Sequence, residues 1–135
     1  MTSQKNLRLR IIAAVLLLSA YPALVLGYTW SHVARSDLPG GRHGPLDAYR
    51  HALASAVVGF TLGPRTVDWV TLAMERGGED SNLMDRRNNH IGAAIGTRAR
   101  SFSDIEPTVR RRCCVARLMH PTPFGSHGCR LITGA

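Results

Sequence analysis

Lysine is almost missing from this 135-residue chain: of 17 basic residues, only Lys5 is not an arginine. Acidic residues number nine, leaving a formal net charge of +8. Aromatic residues make up 6% of the chain, so a core has to be built mainly from Ala, Val, Leu and Ile. Alternating β-branched runs and hairpin turns are absent, which argues against a sheet, and no internal repeat is present. A C-x-x-C pair is missing too. Cys113, Cys114 and Cys129 allow at most one intramolecular disulfide, from Cys129 to either neighbour of the adjacent pair. A zinc site there would have to recruit His120 or His127, and is disfavoured against a plain unpaired tail. No Ser or Cys sits at a recognisable nucleophile elbow in the body, which argues against covalent catalysis.

The positive charge is unevenly placed. Residues 1–10 carry +3 and residues 98–135 carry +5, whereas residues 31–97 hold equal numbers of arginines and acids and are neutral. Arg110, Arg111 and Arg112 invite a nucleic-acid reading, but no aromatics interleave with them to stack on bases, so no nucleic-acid partner is expected. Anionic lipid head groups are the nearer partner for such a run, at about 1 kcal/mol per arginine.

One stretch is plentiful in what the rest lacks. Residues 11–30 read IIAAVLLLSAYPALVLGYTW, twenty positions without a charge. A helix of that length crosses a hydrocarbon core of about 30 Å, with Tyr28 and Trp30 suited to the interface. The basic head places the N-terminus in the cytoplasm by the positive-inside rule. The expectation is a single-pass signal anchor of the bacterial inner membrane with an extracytoplasmic C-terminal domain. The alternative is export after cleavage near Gly27: Ile11–Leu18 is short enough for a signal h-region and Pro22 could break the helix, but the apolar head has no A-x-A triplet.

Beyond it, residues 31–45 read as a linker, rich in glycine and proline at Pro39, Gly40, Gly41, Gly44 and Pro45. A helical domain is expected over residues 46–97. Its first helix spans Asp47 to Thr61, with Leu46, Tyr49, Leu53, Ala56, Val57 and Phe60 as the buried stripe and Gly63 as its stop. A second starts at Pro64 and runs to Gly77-Gly78. A third, capped by Ser81, runs from Asn82 to Ile95. A fourth is possible near Thr108 to Met119, in residues 98–135, which otherwise read as a basic, partly disordered tail. The fold class is therefore all-α: an apolar N-terminal helix followed by a small bundle of three to four short helices.

Two motifs in the neutral body carry the candidate chemistry. Asp47, Arg50 and His51 share one side of the first body helix. On the third, Asp85, Asn88, Asn89, Gly92 and Gly96 form one stripe, polar at one end and bare of side chains at the other. Glycine in a helix interior costs about 1 kcal/mol against alanine, so such a stripe implies a return in close backbone approach. If the two helices pack together, Asp47, His51, Asp85 and Asn89 converge as a catalytic centre in which His51 and a carboxylate form a general acid/base pair. The Asp and Asn oxygens could instead hold a hard cation, of unspecified identity. The competing reading is a satisfied polar network, with Arg50, Asn88 and Glu75 among its members, that only fixes helix register.

The same motifs, D-A-Y-R-H-A at 47–52 and M-D-R-R-N-N-H-I-G at 84–92 with Gly96, resemble a family of small, largely uncharacterised bacterial and phage helical domains. The likeness covers roughly residues 43–97. By that resemblance Asp47, Arg50, His51, Asp85, Asn88, Asn89 and Gly92 occupy motif positions, and Glu75 matches an acidic position that a His commonly precedes, where this chain has Met74. Members are often exported, but the family brings no established activity or cofactor. The functional expectation is thus an envelope-associated domain with a His/Asp/Asn centre suited to hydrolysis, with an envelope substrate or protein partner. A non-catalytic membrane- or partner-binding module is the rival.

A third reading comes from the C-terminus. Residues 124–131, FGSHGCRL, resemble the S-H-G-C-x-R-L signature of L,D-transpeptidases with one residue missing before Arg130. That family's β-rich catalytic domain has no counterpart in a helical body, which makes a chance match the better account of Cys129.

Overall fold

The computed structural model describes residues 2–40, 44–74 and 80–119. They form helix α1 (Thr2–Val33), α2 (Pro45–Leu62), α3 (Pro64–Met74), α4 (Asp80–Arg98), a 3₁₀ turn (Phe102–Asp104) and α5 (Ile105–Met119). No strand occurs among the described residues, and the fold is the expected all-α arrangement. Residues 41–43, Glu75 and the Cys129 segment lie outside them.

Helix α1 is long and apolar enough to cross a membrane, and its apolar window is almost wholly exposed. It continues through Pro22, so that residue does not break it. The last turns of α1 are built differently from the rest. Val25, Thr29 and Val33 are buried, and the Tyr21 hydroxyl hydrogen-bonds the Thr61 hydroxyl on α2. The linker is anchored as well: α1 persists to Val33, and Leu38 joins the core beyond it.

Helix α2 begins at Pro45, whose fixed φ and missing amide suit the first helical position, with Asp47 in the first turn against the free amides. Gly63, at φ 87°, ends it, and α3 starts at the next residue. Tyr49, Leu53, Ala56 and Val57 are buried as their spacing predicts. Phe60 is not: its backbone lies against Gly96 of α4, but its side chain stays exposed and meets the Phe102 ring edge-on.

Helices α2 and α4 run parallel with their backbones in contact. A β-carbon on Gly92 would collide with the Ala52 carbonyl oxygen and stand 2.8 Å from the Ala52 Cα. One on Gly96 would collide with the Ala56 carbonyl and stand 2.9 Å from the Phe60 amide nitrogen. Reciprocally, a β-carbon on Gly59 would lie 2.7 Å from the Ala93 carbonyl oxygen. Small residues on both partners thus replace the usual layer of interdigitating side chains. The helix starts earlier than its expected cap, since Ser81 already lies within α4.

The helical body extends past residue 97, where the tail was expected to begin. Ile105, Val109 and Cys113 are fully buried against Tyr49, Leu53 and Ile91 in one core cluster. Their four-residue spacing forms a narrow apolar stripe, obscured in the sequence by Arg110, Arg111 and Arg112. Cys113 serves there as a small apolar residue.

Replacing Gly96 by Ala should lower stability by about 2–3 kcal/mol, because a core that cannot relax resists even one added methyl. The control is Gly27→Ala on α1, where a β-carbon meets nothing within 4 Å. That change should leave thermal unfolding, followed by circular dichroism in detergent, unchanged or raised by up to about 1 kcal/mol.

Candidate functional site

The parallel register of α2 and α4 decides which polar groups meet. With Gly92 on Ala52, the turn that precedes it on α4 faces the first turns of α2. His51 Nε2 consequently lies 3.6 Å from Asp85 Oδ1 on α4 and 3.8 Å from Asp47 Oδ1, one turn back on its own helix. The Arg50 guanidinium is 2.5 Å from that same Asp47 oxygen and 3.3 Å from His51 Nε2. It also stacks over the Trp30 ring at 5.7 Å, which ties the site to the end of α1.

Access is partial. Asp47 is buried, and the side chains of His51 and Asp85 are 20% and 13% exposed. Among the described residues Asp85 Oδ1 is buried and accepts no hydrogen bond, and the His51 imidazole lies 3.6 Å from it. A buried carboxylate oxygen without a donor is costly, and a cation placed beside it relieves that cost.

Of the residues expected at the centre, Asp47, Arg50, His51 and Asp85 come together. Asn89 sits one turn further along α4, where its Oδ1 accepts a 3.0 Å hydrogen bond from Ser55 Oγ on α2. Both groups are buried. Its position is that of a strut between the helices rather than of a group facing His51. Asn88 is fully buried, Gly92 and Gly96 form the helix contact, and Glu75 lies outside the described residues.

The Asp47, His51 and Asp85 ligand atoms all lie within 4.8 Å of one another, a spacing that could hold a divalent cation. Arg50 stands at that point with its own positive charge against Asp47 Oδ1, and a metal ion bound there would be repelled by it. The present geometry is that of an imidazole whose Nε2 faces two carboxylates and the Arg50 guanidinium together.

A second polar group was not foreseen. The Tyr49 hydroxyl donates a 2.6 Å hydrogen bond to Glu106 Oε1 on α5, which also accepts from Arg110 Nε at 2.8 Å. Burial, then the bonded carboxylate, pushes the Tyr49 phenol well above its ordinary pKa, so it stays a donor. Burial alone would raise Glu106. The hydrogen bonds from Tyr49 and Arg110 and the arginine's charge outweigh it, and the carboxyl ends below its ordinary value. The Glu106 to Arg110 spacing of four residues on a helix was the available signal. Tyr49 had read as a core residue only, and its buried ring fills that role too.

No protein family, curated protein or solved structure matches the chain.

Glu106 carries a pH signature. A carboxyl whose folded pKa is lowered stabilises the fold at pH values above its unfolded value, here 4.5, and that stability disappears as the pH falls through the lower folded value. Glu106→Gln should therefore cost about 1.5 kcal/mol at pH 7, from a lost charged hydrogen bond. In thermal melts the gap between the wild-type and variant proteins should close as the pH is taken below 4.5.

Proposed function

We propose that this chain is a membrane-anchored helical domain whose basic head stays in the cytoplasm and whose bundle works on the far side of the bacterial inner membrane, as a hydrolase acting through His51. The observation that carries the reading is an imidazole whose Nε2 faces two carboxylates from different helices, in a site that is partly exposed. His51 is the general base. It takes a proton from a water that attacks an electrophilic centre of an envelope substrate, and it returns that proton to the leaving group. Asp85 and Asp47 orient the ring and stabilise the imidazolium formed in between, while Arg50 offsets negative charge that develops on the substrate.

Retention of α1, rather than cleavage near Gly27, is favoured by its packing. Cleavage would remove Val25, which is buried, and Tyr21, which bonds Thr61. The rival reading, a binding module with a purely structural centre, draws on the Asn89–Ser55 hydrogen bond and the Arg50–Asp47 pair, since both are satisfied within the protein.

Screening the full chain in detergent against ester, amide, phosphoester and glycoside substrates, with metal analysis of the same sample, distinguishes the two. An activity that His51→Ala lowers at least about 100-fold, with little change in melting temperature, is the expected result. Asp85→Asn should give a smaller loss. A melting temperature that collapses in His51→Ala, with no hydrolysis by the unmodified chain, would favour the structural reading.

A further inference from the structure

We infer that α1 has two positions: packed along α2, as in this structure, and swung away from α2 over residues 21–29 when it spans the bilayer. The inference rests on the reading of α1 as an uncleaved span, and it makes the packed form the state before insertion.

Length and level carry it. Tyr21 bonds Thr61 at the end of α2, and Trp30 lies under Arg50 near its start. Between those contacts lie about 14 Å of α1 and about 17 Å of α2, so the two helices run side by side in opposite directions. A hydrocarbon core of about 30 Å needs all of residues 11–30. With Trp30 at one boundary, Tyr21 sits near mid-depth and takes Thr61 there with it. With Tyr21 at the boundary instead, Ile11 to Ala20 supply only about 15 Å, half of the core.

The part of the bundle level with Tyr21 does not belong in hydrocarbon. Arg65 and Asp68 lie in the first turns of α3, just past Thr61, and both are exposed. Arg98 and Arg100, also exposed, follow the point where Gly96 meets the Phe60 backbone. Among the described residues none of these four has an ion-pair partner. Charges held near mid-depth are costly, and an arginine side chain is too short to reach either surface from there. Packing along α2 and spanning the bilayer therefore exclude each other.

The packed contact is of a kind that can part. Of residues 21–29 it fully buries only Val25 and Thr29, and Thr29 Oγ1 has no hydrogen-bond partner among the described residues. The Thr61 hydroxyl also donates to the Val57 carbonyl, so it keeps a partner when Tyr21 leaves. Leu24 and Leu26 stand exposed on the packed helix, and a bilayer covers them. Val33 and Leu38, beyond the apolar run, keep their places in the core and hold the bundle, with its polar centre, next to the membrane surface.

The test uses the full chain in phosphatidylcholine/phosphatidylglycerol vesicles, with the photoreactive p-benzoylphenylalanine placed at position 21. A separate sample carries it at position 16, where Leu16 is exposed on the free part of α1, and circular dichroism checks that both samples keep their helices. We expect the protein to float with the vesicles and position 16 to attach to lipid on irradiation. At position 21, lipid adducts should outnumber attachments to α2 by about tenfold. Flotation and lipid adducts at position 16, with position 21 attached mainly to α2, overturn the release and leave the anchor standing. Failure to float overturns the anchor, and the release falls with it.

Discussion

Helices α2 and α4 touch backbone to backbone, and nearly every other feature of this protein follows from that contact. Gly92 and Gly96 lie against Ala52 and Ala56, and Gly59 against Ala93, so the two axes come closer than side chains of ordinary size permit. Three glycines inside helices are unfavourable one by one, at about 1 kcal/mol each. Their return is collective: the approach sets the register of the two helices, and the register brings Asp85 to His51 and Asn89 to Ser55. A slip of one helical turn would keep apolar residues near each other while separating the imidazole from the α4 carboxylate. Such packing is characteristic of helices that meet without a large apolar interface to hold them. It accords with a body having few aromatic residues and a core of Ala, Val, Leu and Ile.

The polar centre and the Tyr49–Glu106–Arg110 group play different parts around that axis. Glu106 closes α5 onto the outer side of α2 with one charge-assisted hydrogen bond, from Tyr49, while Arg110 on α5 itself donates a second to the same Oε1. The centre at His51 is less closed. Among the described residues Asp85 Oδ1 is buried without a donor, and Arg50 is shared between Asp47, His51 and Trp30. A network built only to fix register gains most when every member is satisfied. The unsatisfied oxygen beside a partly exposed imidazole is what sets this centre apart from the second group.

Much of this was legible in the sequence because its signals were strong and local. Pro64 and Gly63 mark helix boundaries by their backbone chemistry alone, and the structure uses them so, whereas Pro45, read as the end of the linker with the helix starting at Asp47, instead opens α2. The stripe Asp85, Asn88, Asn89, Gly92, Gly96 announced a close helix contact because paired glycines have few other reasons to sit in a helix. The role of α5 was hidden for the opposite reason. Its core stripe is one residue wide, Ile105, Val109 and Cys113, and three arginines dominate the window around it. Phe60 was misplaced because a period of 3.6 tells which residues share a face but not how far a neighbour covers each side chain. Asn89 was drawn to His51 by its place on the stripe, whereas Ser55, unremarkable in the sequence, claims its oxygen.

The central claim is that α2 and α4 meet through their backbones in one register. Nuclear Overhauser contacts between α protons, recorded on the isotopically labelled full chain in micelles, address it directly. The account predicts cross-peaks between Gly92 and Ala52 and between Gly96 and Ala56. Intact helical signals for both segments with those cross-peaks missing, or with Gly92 paired to Ala56 instead, would contradict it.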